Sequence, residues 1–289
     1  MKYLGTISMS SIVLFWIVMN TLLVWRETET HRLDSYQRGV TAFLGNDLRR
    51  ERWMGMYRKS ETEHKKVGYT GLVMERVYNA EGLTYHANLE TYFAGTLPLQ
   101  SFFSNSQNSS SLKIKGQLTL DEDMKPIQMQ LDLVVSLLED TALEKSQSFA
   151  IEGVRHGSGF RVTLSREEEK LMTLPLPLEG LALSDGFAPS LPVADYKVGE
   201  TYRVRVFNPL TPLGLGSDTA TVRVVAETTE SVHGILLDVF ELETEWQGSK
   251  TRSLVTANGE VVRQELGPPL NLVLQHEKSQ NAARKGFTR

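Results

Sequence analysis

The sequence predicts an all-β protein: a strongly curved antiparallel sheet or open half-barrel, behind one N-terminal transmembrane helix and a short stalk helix. Three observations predict it. From Trp53 onward, apolar side chains recur at every second position, the period of a strand with one greasy and one wet face. Short clusters of Asn, Asp, Gly and Pro separate these runs. Ahead of them lies a block, residues 3–25, without a charged side chain.

That block, YLGTISMSSIVLFWIVMNTLLVW, would span about 34 Å as a helix, enough to cross a bilayer with some tilt. Tyr3 and Trp25 fall near its ends, where interfacial aromatics belong. Lys2 favours a cytoplasmic N-terminus and a periplasmic body, although Arg26 and Arg32 stand on the far side, partly offset by Glu27 and Glu29. A cleaved signal peptide needs a small-x-small site. The stretch LVWRETETHR supplies none, and no cysteine exists for lipidation. Residues 1–25 therefore read as an uncleaved signal anchor in a bacterial inner membrane. Asn20 reads as a tolerated amide within it.

Residues 26–51 carry apolar positions at Leu33, Tyr36, Val40, Phe43, Leu44 and Leu48, close to helical spacing. They predict a stalk helix broken near Gly45 and Asn46. Residues 52–277 form the predicted periplasmic β domain, and 278–289 a C-terminal tail. Leu83, Tyr85, Ala87, Leu89 and Phe93 alternate with polar residues, as do Leu112, Ile114, Leu118 and Leu120. In the run from Ile127 to Leu137, Leu131 and Leu133 should face inward and Asp132 outward. Strand-like runs follow at 147–155, 159–165, 201–207, 219–228, 234–246, 250–256, 260–266 and 270–276. Turns fall at 79–82, 121–126, 156–159, 246–249 and 258–260; Asn258-Gly259 is the strongest, because both residues tolerate positive φ.

Two segments interrupt the pattern. SNSQNSSS (104–111) is an exposed loop by composition. Residues 171–193, LMTLPLPLEGLALSDGFAPSLPV, carry prolines that forbid a long helix or central strand, yet are too apolar to stand in water. That segment should lie on the greasy face of the sheet, as a plug, a lid or a docking surface. An apolar strand–turn–strand pattern occurs at 112–137 and again, as a weak echo, at 250–266, which would fit two halves joined near 171–196.

Composition excludes several chemistries. Without cysteine there is no disulfide, thiolate nucleophile or cysteine zinc site. Setting Lys2 aside leaves 30 basic against 35 acidic side chains, a mildly acidic surface that offers nucleic acid no foothold. His31, His64, His86, His156, His233 and His276 stand far apart in sequence, so no HxH or HExxH pair exists and each reads as a surface residue. His156-Gly157-Ser158-Gly159 lacks the spacing of a nucleophile elbow. Arg166 to Lys170 reads as a solvated hairpin tip, and Asp121 to Asp123 lacks the glycine of a calcium loop. Leu213 to Ser217 is not a phosphate loop, since no Gly-Lys-Ser/Thr follows. No catalytic, metal or cofactor residue is assigned.

The stretch with Trp53, Gly55 and Tyr57, a polar turn, then Gly68 and Tyr69 resembles the start of a β domain of bacterial envelope proteins that often precedes a transglutaminase-like peptidase domain. Lys197 to Pro209 and Ser253 to Glu265 look like later parts of the same group. The resemblance covers roughly 52–277 and implies a sheet of the lipoprotein-carrier type, strongly curved with an apolar concave face. With no cysteine nucleophile and only a short tail after 277, the peptidase activity is not implied.

The function expected is that of a non-enzymatic, membrane-tethered accessory or scaffold subunit of an envelope complex. The alternatives are a carrier of lipid or other hydrophobic cargo and, third, a hydrolase of unknown type. Trp53, Tyr57, Tyr69, Leu176, Leu178, Leu183 and Phe187 are the candidate partner or ligand contacts. Trp53 and Tyr57 share one strand face around Gly55, which fits either a tight corner of the fold or a docking patch.

Overall fold

The computed structural model describes residues 44, 47–58, 65–80, 82–95, 110–123, 126–138, 144–157, 159–177, 196–205, 219–246, 248–257, 259–267 and 271–287. The predicted 3–25 span, the stalk before Leu44, most of the 104–111 loop, and residues 178–193 and 213–217 lie outside them. Among the described residues no helix is long and apolar enough to cross a membrane.

One 14-stranded antiparallel sheet makes up nearly the whole described structure. Its first meander comprises β1 (Arg49–Arg58), β2 (Lys65–Asn79), β3 (Gly82–Gly95), β4 (Ser110–Leu120), β5 (Pro126–Leu138), β6 (Glu144–His156), β7 (Gly159–Arg166) and β8 (Glu169–Pro177). The second comprises β9 (Thr201–Arg205), β10 (Thr219–Val232), β11 (Ile235–Trp246), β12 (Ser249–Thr256), β13 (Val261–Leu266) and β14 (Leu272–Glu277). They join where β1 pairs β14, with Trp53 opposite Glu277, so the order runs from β8 through β1 and β14 to β9.

The sheet is open and uncurled, which corrects the expected strong curvature or half-barrel. Closure requires the first and last strands to meet through a staggered register. Here β8 and β9 are opposite edges and pair with no further strand among the described residues. The sheet therefore keeps two open edges instead of closing on itself.

Alternation places the core as the sequence predicts. Leu131 and Leu133 are buried and Asp132 is exposed. The largest apolar cluster runs across β1 to β7 and onto β13 and β14; Met56, Leu120, Leu133, Ile151, Phe160 and Leu274 are among its most deeply buried members. Leu44, fully buried, belongs to the same cluster, so the chain just ahead of β1 lies against this face. A second cluster of Tyr196, Val222, Val224, Leu242 and Val255 lies over β10 to β12, and Val261 packs against both. Within the core Thr70 and Thr91 face each other across β2 and β3 and satisfy one another at 2.7 Å.

Three boundaries differ from expectation. Residues 49–51 belong to β1, not to a stalk helix, because Arg49 pairs with Glu75 and its side chain reaches that carboxylate at 3.3 Å. Residues 171–177 continue β8 instead of forming an irregular segment; Pro175 and Pro177 are tolerated because β8 is an edge strand. Residues 280–284 of the expected tail form a short helix, α1 (Gln280–Arg284), whose N-cap Ser279 hydroxyl accepts from Ala282 N at 3.3 Å.

Two hairpin tips turn through left-handed backbone. Glu167 and Glu168 (φ 48° and 72°) connect β7 to β8, the solvated tip predicted for 166–170. His233 and Gly234 (φ 55° and 86°) connect β10 to β11. Such primed turns match the twist of the flanking strands.

Candidate functional site

The aromatic candidates of the first hairpin do come together. Trp53 and Tyr57 point from β1 to the face opposite Met54 and Met56, and Tyr69 stands directly across β2 from Gly55. Two glycines make room for the rings. A Cβ on Gly71, the cross-strand partner of Trp53, would lie 2.1 Å from the indole. A Cβ on Gly55 would lie 2.5 Å from the Glu277 carboxylate and 2.7 Å from the Tyr57 ring. Neither position admits a side chain unless the rings move.

α1 lies over this patch. Ala283, fully buried, packs on Trp53 and Tyr69, and Phe287 sits 5.3 Å from Tyr92 and 6.2 Å from Tyr69, centroid to centroid. Trp53 retains 3% of its exposure and Tyr69 6%, so these two are covered by the chain's own C-terminus. The Trp53 indole N–H finds no acceptor among the described residues, and ring contacts hold it, including the Arg284 guanidinium 5.7 Å from its centre.

A charged frame fixes the edges. Tyr57 Oη donates to Glu277 at 2.6 Å, while Lys66 Nζ donates to the same carboxylate at 2.7 Å and to the Ala282 carbonyl at 2.9 Å. Tyr69 Oη donates to Glu90 at 2.8 Å, and Arg284 pairs with that carboxylate. Burial, reinforced by Glu277, raises Tyr57 above its ordinary value of 10.0. Burial and Glu90 push Tyr69 up to about 12, against a smaller opposing pull from Arg284. Both phenols are therefore donors throughout the neutral range, and both carboxylates are committed to structural partners. Trp53 and Tyr69 thus occupy a sealed corner of the fold, with half-buried Tyr57 at its edge.

The remaining candidates are not part of it. Leu176 lies on β8, opposite Phe160 of β7, at an edge of the sheet remote from β1. Leu178, Leu183 and Phe187 lie outside the described residues.

A second cluster was not legible in the sequence. The β10–β11 hairpin overshoots β12, whose last pair is Thr256 with Val239, and reaches back to β14. His233 Nε2 stands 3.0 Å from His276 Nδ1, although the two residues are 43 apart in sequence. His233 is exposed, as the surface reading expects, and His276 is half-buried beside it. Around the pair, Arg50 meets Glu260 at 3.2 Å, and Arg263 meets Glu230 at 3.8 Å and Glu265 at 2.8 Å. His276 is held below its ordinary 6.5, mainly by burial and further by His233 and Arg52, against the pull of Glu260 and Glu277. A neutral ring can share one proton with its neighbour, whereas two imidazolium ions would repel.

Among the described residues no group of three or more His, Asp or Glu side chains is placed to hold a metal ion. Asp121, the turn carboxylate weighed for calcium, instead meets Arg155 at 2.7 Å. Comparison with protein-family models, with curated proteins and with solved structures found no match to this chain.

Proposed function

We propose that the chain is a non-enzymatic scaffold or accessory subunit of a cell-envelope complex, tethered to the bacterial inner membrane by residues 3–25 with its β body in the periplasm. One observation carries this reading: a continuous sheet whose core face is filled by its own side chains and whose other face is polar over several strands. Lys113, Lys115, Gln117, Gln130, Asp132 and Glu152 line that wet face on β4 to β6. A broad surface of this kind suits the docking of other proteins. A hydrophobic-cargo carrier needs a concave apolar cavity. The open, uncurled sheet favours the scaffold over that alternative. The phenols and carboxylates of the aromatic corner, already paired internally, give no support to hydrolysis. The motif of Trp53, Gly55, Tyr57, Gly68 and Tyr69, with its likeness to envelope β domains, supports the same address.

The test is purification of the full chain from native membranes after cross-linking, with both proteins and lipids identified. Retention through a carbonate wash and a reproducible set of envelope proteins are expected. Stoichiometric lipid without a protein partner would replace the scaffold with the carrier. A soluble mature chain beginning near residue 26 would remove the tether.

A further inference from the structure

The sheet exposes apolar side chains unevenly. Ile235 and Leu236, side by side just after the His233-Gly234 turn, are 65% and 74% exposed. Tyr78, near the tip of the β2–β3 hairpin, is 70% exposed, and Leu48, immediately ahead of β1, is 64% exposed. Hairpin tips are ordinarily polar.

Topology puts these residues at one end of the sheet. Arg49 pairs with Glu75, so the last residues of β2 and Tyr78 among them overshoot the start of β1. The Leu48 carbonyl accepts from Arg76 N at 2.8 Å, tying the β1 entry to that hairpin. On the other side, the contacts of His233 with His276 and of Glu230 with Arg263 draw the β10–β11 tip toward β14, the neighbour of β1. The two apolar tips thus flank the point where the chain enters the sheet.

The residues leading to that point include the 3–25 apolar span, which enters through a linker of limited reach. We propose that this end of the sheet is a membrane-contacting rim, with Ile235, Leu236, Tyr78 and Leu48 dipping into the lipid interface of the bilayer that holds the tether. The proposal rests on the reading of residues 3–25 as an anchor. Arg49 and Arg50 at the rim are balanced by Asp47 and Glu51, so contact relies on apolar insertion and not on attraction to anionic lipid. Interfacial placement suits Tyr78, whose ring is apolar and whose hydroxyl stays wet.

The absence of native cysteine makes the test direct. Ile235→Cys and Leu236→Cys, each in the full chain in phosphatidylcholine–phosphatidylglycerol nanodiscs, carry a bimane label. Leu171→Cys serves as control: Leu171 is also an exposed leucine (44%), but it lies near the start of β8, at the opposite end of the sheet. The rim labels are expected to shift to the blue and to be quenched by lipids bearing a doxyl group near the headgroup, with the control label unaffected. Equal behaviour of all three labels, or water-like emission from the rim labels in a correctly anchored chain, overturns the proposal. A blue shift in native membranes but not in nanodiscs overturns it in favour of a protein partner at the rim. A chain that carbonate extracts from the membrane refutes the anchor itself and the rim with it, and extraction reports that failure separately from the label.

Discussion

The imidazoles of His233 and His276 meet at 3.0 Å, joining the tip of the β10–β11 hairpin to the strand that pairs with β1. This contact ties together parts of the sheet that lie apart in strand order, and it depends on at least one ring being neutral. His276 has a folded-state value below its ordinary 6.5. As pH falls, the unfolded chain therefore takes up its proton first, and unfolding is favoured. The contribution is fully present above about pH 6.5 and is lost as pH drops toward the folded value. Urea midpoints measured between about pH 7 and about pH 5 should fall for the wild type and fall less steeply for His276→Gln. Parallel profiles would show that the pair does not govern the transition.

Gly71 is expected to be irreplaceable while Trp53 remains opposite. A methyl group there overlaps the indole at 2.1 Å, so Gly71→Ala should cost roughly 1–3 kcal/mol in chemical denaturation. The penalty should shrink when Trp53 is also replaced by Leu, and the interaction energy of the double-mutant cycle reports this. An additive cycle would mean that the glycine is required for another reason.

Removing core volume tests the assignment of faces. Leu131→Ala should cost on the order of 2–5 kcal/mol, because Leu131 is 3% exposed within the largest cluster. Asp132→Ala, on the wet face, should stay within about 0.5 kcal/mol. Similar small losses at both positions would contradict the register of β5.

The seal over the aromatic corner can be broken from the helix side. Ala283→Asp places a carboxylate at a fully buried position against Trp53 and Tyr69. An unpaired charge there is not tolerated without release of α1 or loss of ionisation. Stronger acrylamide quenching of tryptophan emission at neutral pH, with the β-sheet circular dichroism retained, is the expected result. Quenching unchanged from wild type would show that α1 does not shield Trp53.

Local pattern determined much of this protein. Alternation from Ile127 to Leu137, broken only at Val134, placed Leu131 and Leu133 inside and Asp132 outside, and the clusters at 79–82, 121–126 and 246–249 marked real connections. These features are legible because a pleated strand repeats every two residues and a tight turn needs particular backbone angles; both are properties of neighbours in the chain. The adjacency of Trp53 and Tyr57 around Gly55 was readable for the same reason. What closed over them was not: Glu277, Ala283 and Phe287 arrive from the far end of the chain, because β14 pairs with β1. The open sheet, the edge position that admits Pro175 and Pro177, and the meeting of His233 with His276 are likewise outcomes of pairing between distant segments. Only the tertiary structure decided them, since such pairing is selected by the packing of whole faces against one another and leaves no period in the sequence.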